Sequence, residues 1–154
     1  MNKRKLLSTI LGGVIACTTF GLTARADESN QETKVSFDQA VEIPGQVLPA
    51  GSYWFKLVDD LTGRNVVQIF SADWKTLYAT EMTVPAERTR LADETTFGFA
   101  KRDSSQPEAI VTWFYPGETT GHEFLYPRNE EKELSQDKQE IVTASPLDST
   151  KTGM

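Results

Sequence analysis

The chain contains one cysteine and one histidine among its 154 residues. A single cysteine allows no disulfide within the chain, so an exported domain of this sequence must depend on its apolar core. The histidine, His122, belongs to no His-Glu-x-x-His zinc motif, and no Gly-x-Ser-x-Gly nucleophile elbow accompanies it. These absences argue against thiol catalysis, thiolate metal sites and histidine-dependent hydrolysis. We predict neither a metal nor a cofactor.

Positive charge is also scarce. The sequence contains 16 lysines and arginines and 22 acidic residues, which gives a net charge of −6. No basic patch with interleaved aromatic residues is present, so nucleic acid is excluded as a partner. The paired acids at 59–60 and 93–94 fall in predicted polar turns, where solvated carboxylates are common. A small hydrolase that uses such carboxylates is therefore a low-ranked alternative.

Residues 1–26 have the pattern of a signal peptide. Lys3, Arg4 and Lys5 precede an apolar run, and Ala24-Arg25-Ala26 has the small-x-small pattern that signal peptidase cuts. The run is too short to be a stable membrane anchor. Cleavage after Ala26 would remove four positive charges and take the net charge from −6 to −10. We expect an exported protein in the periplasm or outside the cell.

Cys17 allows a second interpretation of the same segment. Val14-Ile15-Ala16-Cys17 resembles a lipobox, in which the cysteine becomes the acylated first residue. The alternative is that Cys17 is an ordinary apolar residue of a discarded peptide. Only lipidation at Cys17 would place the protein on a membrane.

Residues 33–127 alternate apolar and polar side chains in short runs that end at proline or glycine. This pattern predicts about seven strands and an all-β fold, as an antiparallel β-sandwich or small barrel. Residues 52–70 predict a hairpin. The aromatic residues that are most simply core are Tyr53, Phe55, Phe70, Phe97, Phe99, Phe114 and Phe124.

Residues 128–154 form a charged tail. Glutamate and lysine dominate it, and Leu134, Ile141 and Val142 offer only a thin apolar stripe. A frayed helix or a disordered tail is expected here rather than a second domain.

Several segments carry a resemblance. The pattern Ile-Pro-Gly-x-x-Leu-Pro-Ala-Gly-x-Tyr-x-Phe begins at Ile43, and Trp113–Gly117 and Glu123–Pro127 follow it. In these segments the chain resembles a group of small exported bacterial proteins to which no function is assigned. The resemblance covers residues 35–127 and implies an all-β domain outside the cytoplasm. It implies no catalytic residue.

Aromatic residues supply the only candidates for a binding site. Regular alternation would place Trp54 on the face opposite Phe55, and Trp113 opposite Phe114, and both faces cannot pack on one core. Either some rings are exposed for a ligand, or loops, the tail or a partner chain cover them. The candidate ligand-binding residues are Trp54, Trp113, Tyr115 and Tyr126.

We therefore expect a non-catalytic structural or binding module of the bacterial periplasm or cell surface, with a cell-envelope protein or glycan as its partner. The first alternative is a domain that binds a carbohydrate or another small ligand through exposed aromatic residues.

Overall fold

The computed structural model describes residues 21–27, 31–58, 65–103 and 105–146. Their secondary structure is mostly β, as the alternating sequence predicts. The strands are β1 (Leu22–Asp27), β2 (Glu32–Phe37), β3 (Val41–Ile43), β4 (Gln46–Leu48), β5 (Gly51–Leu57), β6 (Val66–Ser71), β7 (Leu77–Glu87), β8 (Thr96–Lys101), β9 (Glu108–Phe114), β10 (Thr120–Phe124), β11 (Lys138–Thr143) and β12 (Ser145–Pro146), and the helix α1 (Arg128–Leu134) lies between β10 and β11.

The strands form one mixed sheet in the order β11-β8-β9-β10-β7-β6-β5-β2-β1-β12. The short hairpin of β3 and β4 lies beside this path, with β3 parallel to β9. β1 and β12 are also parallel, and the other neighbours are antiparallel. The expected hairpin over 52–70 is confirmed, since β5 and β6 pair antiparallel.

The long strand β7 belongs to both halves of the sheet. Its residues 77–82 pair with β6, whereas residues 83–87 pair with β10. Residues of both halves belong to one apolar core cluster. The Phe55 ring on β5 lies 5.3 Å from that of Phe97 on β8 and 6.4 Å from that of Phe124 on β10, in edge-to-face contacts.

The predicted aromatic core is confirmed apart from Phe70 and Phe114, since Phe114 is buried but lies outside the core cluster. Six of the predicted rings are buried, whereas Phe70 is half-buried on the outer face of β6. β6 alternates regularly and points Val67 and Ile69 inward, so Phe70 must point outward.

The number of strands was underestimated. The described residues form twelve strands, two pairs of which are parallel, rather than about seven antiparallel ones. β3 and β4 have three residues each, too few for alternation to be recognised in the sequence. The remaining additions, β1, β11 and β12, lie outside the 33–127 region.

The charged tail differs most from its expectation. β11 pairs with β8 over six residues, and β12 pairs with β1. Leu134 and Ala144 are buried in the core. The exposed residues of β11 include both the charged Lys138 and the apolar Ile141, so hydropathy does not mark which face of this strand is buried. The backbone pairing with β8 therefore decides the position of β11.

The N-terminal segment bears on the predicted signal peptide. Residues 1–20, including Cys17, lie outside the described residues. β1 contains Ala26, the predicted cleavage position, and buries Leu22 and Ala24 against β2. Cleavage after Ala26 stays a prediction, and it would remove nearly all of β1.

Candidate functional site

The four aromatic residues predicted to bind a ligand do not share a surface. Trp113 is only 1% exposed, and Tyr115 and Tyr126 are also buried. Trp54 alone lies at the surface, half-buried on the outer face of β5. The sequence-based set therefore does not form one binding patch.

The burial of Trp113 and its neighbour Phe114 has a structural reason. Trp113 points into the core, where its ring lies 6.1 Å from that of Phe55. Phe114 points to the opposite face, where the Arg88 guanidinium covers its ring at 4.8 Å. Arg88 is held there because it donates hydrogen bonds to the carbonyl oxygens of Glu118 and Tyr115. Consecutive bulky residues are thus buried on both faces.

Tyr126 has a structural role in the described fold. Its hydroxyl donates to the carbonyl oxygen of Ile110 at 2.8 Å and lies 3.2 Å from that of Glu42. Burial, helped by the negative charge of Glu42, raises the pKa of Tyr126. The phenol therefore stays protonated and ties residues after β10 to β9 and β3.

A different group of rings meets on the outer face of β5 and β6, and we call it the aromatic platform: Trp54, Phe70 and Trp74. Trp54 and Trp74 are stacked, with ring centroids 4.9 Å apart and planes 25° apart. Phe70 lies 5.2 Å from Trp74. Trp74 is 40% exposed. The stacked pair thus lies open on the outer face of β5 and β6.

The turn between β6 and β7 fixes the position of Trp74. Its φ is +64°, in the left-handed region that bulky residues rarely occupy. The Ser71 hydroxyl donates to Asp73 Oδ1 at 2.6 Å and accepts the amide of Thr76 at 3.0 Å. The hydrogen bond from Ser71 and those from Lys75 lower the pKa of Asp73, which keeps its carboxylate ionised.

A further bond ties the platform together. The indole Nε1 of Trp54 donates to the carbonyl oxygen of Ala72 in the same turn, at 3.2 Å. The Trp54 ring, which stacks on Trp74, is therefore hydrogen-bonded to the turn that carries Trp74. The platform is consequently arranged before any ligand arrives, which reduces the entropy lost on binding.

Two lysines flank the stacked rings. Lys34 Nζ lies 5.8 Å from the centroid of Trp54, and Lys56 Nζ lies 5.8 Å from that of Trp74. Lys56 also pairs with the Glu32 carboxylate at 2.8 Å. Both distances are within the range of a cation–π interaction.

Sequence reasoning missed two of the three platform residues. Phe70 was assigned to the core, and Trp74 was not identified as a candidate. The sequence did contain an indication: Trp74 lies between the charged residues Asp73 and Lys75, a position that favours an exposed side chain.

A cleft of about 400 Å³ lies between β9, β10 and the segment that contains α1. Glu123 on β10 and Glu131 on α1 line it, and both are exposed. The acids at 59–60 lie outside the described residues, and Asp93 and Glu94 lie between β7 and β8.

A second cavity of about 260 Å³ is lined by residues of β5, β7 and β10 and their neighbours, among them Leu57, Tyr115 and His122. The Thr83 hydroxyl gives its proton to the carbonyl oxygen of Asn65 at 2.9 Å. His122 Nδ1 lies 3.2 Å from the same hydroxyl. Burial lowers the pKa of His122, so the ring is neutral at pH 7.

In the part of the chain that the structure describes, no three acidic, histidine or cysteine side chains are grouped so that they could hold a metal ion. Over the same residues, no helix has the length and apolar character needed to span a bilayer. Comparison with protein-family models, with curated proteins and with solved structures finds no match to this chain.

Proposed function

We propose that this protein is a non-catalytic binding module of the bacterial cell envelope, and that its aromatic platform binds a saccharide. The observation that carries the proposal is the conformation of Trp74. A bulky residue at positive φ costs on the order of 1–3 kcal/mol and persists only when the surroundings enforce it. Here Ser71, Asp73 and Thr76 enforce it, and the result is an indole held at the surface.

The shape and chemistry of the platform suit a sugar ring. The C–H bonds on one face of a pyranose are weakly positive and pack against the electron-rich face of an indole, here the face of Trp74 that is not stacked on Trp54. The Trp54–Trp74 pair is preorganised, so binding orders few protein groups. Two stacked rings on a sandwich-like sheet present a shallow site, which is appropriate for an extended polymer.

A hydrolase is less well supported. Glycoside hydrolysis needs one carboxyl group that stays protonated near neutral pH, which normally requires burial. The carboxylates that line the 400 Å³ cleft, Glu123 and Glu131, are exposed. We therefore rank binding above catalysis.

Export remains part of the proposal. The leader at residues 1–26 directs the chain out of the cytoplasm, either with cleavage after Ala26 or with lipidation at Cys17. All platform residues follow residue 27, so the platform is retained on either route. An envelope glycan would then be within reach of the protein.

The proposal can be tested by calorimetric and fluorescence titration of the protein with short oligosaccharides of glucose, N-acetylglucosamine and galacturonic acid. We expect at least one series to bind. Trp74→Ala should weaken that binding about tenfold or more, equivalent to about 1.4 kcal/mol. Leu91→Ala is the matched control, because Leu91 is an exposed apolar residue outside the platform.

Two results would contradict the proposal. One is the absence of binding in all three series. The other is equal affinity of the Trp74→Ala and Leu91→Ala variants, provided that both melt at the temperature of the unchanged protein.

A further inference from the structure

We infer that the platform selects an anionic saccharide, one whose sugar rings carry carboxylate groups. This inference rests on the proposed function and specifies its ligand. The evidence is the placement of positive charge around the stacked indoles, in a chain whose net charge is −6.

Lys34 is the principal cation. Its ammonium group lies 5.8 Å from the centroid of Trp54. The ion pairs among the described residues are Lys56–Glu32, Lys75–Asp73, Lys101–Glu140 and Arg102–Glu42, so Lys34 pairs with none of the described carboxylates. Its charge is available to a ligand.

Lys56 has a supporting role. Its ammonium lies 5.8 Å from the centroid of Trp74 and 2.8 Å from a Glu32 carboxylate oxygen. The Glu32 side chain is 12% exposed, so this counter-charge lies mostly beneath the surface. The pair holds the Lys56 stem in place beside the ring, and Glu32, which lies on the same face of β2 as Lys34, offsets part of the Lys56 charge.

The geometry matches a uronic acid. When a pyranose ring stacks on an indole, its exocyclic C6 group projects past the edge of the aromatic ring. Lys34 Nζ lies over the Trp54 ring and Lys56 Nζ over the Trp74 ring, so a carboxylate at C6 would come within reach of one of these ammonium groups. A neutral hydroxymethyl group at C6 would leave the ammonium of Lys34 unpaired.

A matched pair of ligands separates charge from shape: oligogalacturonate, and the same oligosaccharide with its carboxylates methyl-esterified. We expect the acid form to bind about two- to fivefold more tightly at low salt, the size of an exposed charge pair. The preference should fall as salt is added, because mobile ions screen exposed charges.

The lysine variants assign the preference to a residue. Lys34→Gln should remove the preference for the acid form, so that acid and ester bind with equal affinity. Lys138→Gln makes the same change of charge on the exposed face of β11 and should retain the preference.

The outcomes distinguish this inference from the proposed function. Equal affinity for acid and ester, with loss of both in Trp74→Ala, overturns the anionic preference and leaves saccharide binding intact. A preference that survives Lys34→Gln also overturns the inference. If neither form binds, the inference fails whatever the other sugars do. Binding of neutral sugars alone would retain only the proposed function.

Discussion

The packing of the C-terminal segment can be tested with a single buried residue, Leu134. Its side chain lies at the end of α1, is 3% exposed and belongs to the core. Leu→Ala substitutions at buried sites cost about 2–5 kcal/mol, from lost burial and from the cavity that remains. The neighbouring backbone is fixed, because Gln139 Nε2 donates to the Leu134 carbonyl oxygen at 2.8 Å. We therefore expect little collapse around the cavity and a loss of about 3 kcal/mol.

The measurement is urea unfolding followed by circular dichroism, with the free energy of unfolding extrapolated to water. Ile141→Ala is the control, since isoleucine and leucine lose the same atoms on truncation to alanine. Ile141 is 64% exposed on β11, so its truncation should cost less than about 1 kcal/mol.

A small and equal loss in the two variants would refute the reasoning. It would show that residues 128–146 do not pack on the sheet in solution. The expectation of a frayed or disordered tail, drawn from composition, would then be correct. A large loss in both would indicate that β11 depends on side-chain contacts of Ile141 that the exposed position does not suggest.

Two further predictions concern the ends of the chain and its histidine. A chain that begins at Asp27 should be about 2–4 kcal/mol less stable in urea than one that begins at Gly21, because it loses the buried Leu22 and Ala24. Equal stabilities would show that β1 adds nothing. Since the pKa of His122 is lowered in the folded state, the unfolded chain takes up a proton first, and stability should fall as pH drops below about 6.5. Burial raises the pKa of Glu42 and Glu81 in the folded state, so these two groups make the free energy of unfolding rise as pH drops. The histidine's contribution is therefore isolated by measuring the free energy of unfolding of the unchanged protein and of His122→Gln between pH 7 and 5 and taking the difference. If the two proteins show the same dependence on pH, the lowered pKa of His122 is contradicted.

The β-structure of the central region could be predicted because its signal is local. In β5 the alternation of Tyr53, Phe55 and Leu57 with polar or amphipathic neighbours predicts both the strand and its buried face. The same rule failed at Trp113 and Phe114. Whether the second face of β9 is covered depends on Arg88, which lies far away in sequence.

The candidate site was accessible to sequence reasoning only in part. Trp54 was identified as a surface candidate from alternation alone. Its partner Trp74 was not, because the stack requires the turn after β6 to fold back over β5. Lys34 joins the site only because β2 pairs with β5 and places it opposite Trp54.

The sequence by itself determined an all-β chain with an aromatic core, because side-chain alternation and turn residues act over a few neighbouring positions. Tertiary structure decided which rings meet at the surface and that residues 22–27 and 138–146 complete the sheet. Those segments have weak local patterns, and backbone hydrogen bonds to distant strands, which no short window of sequence contains, hold them in place.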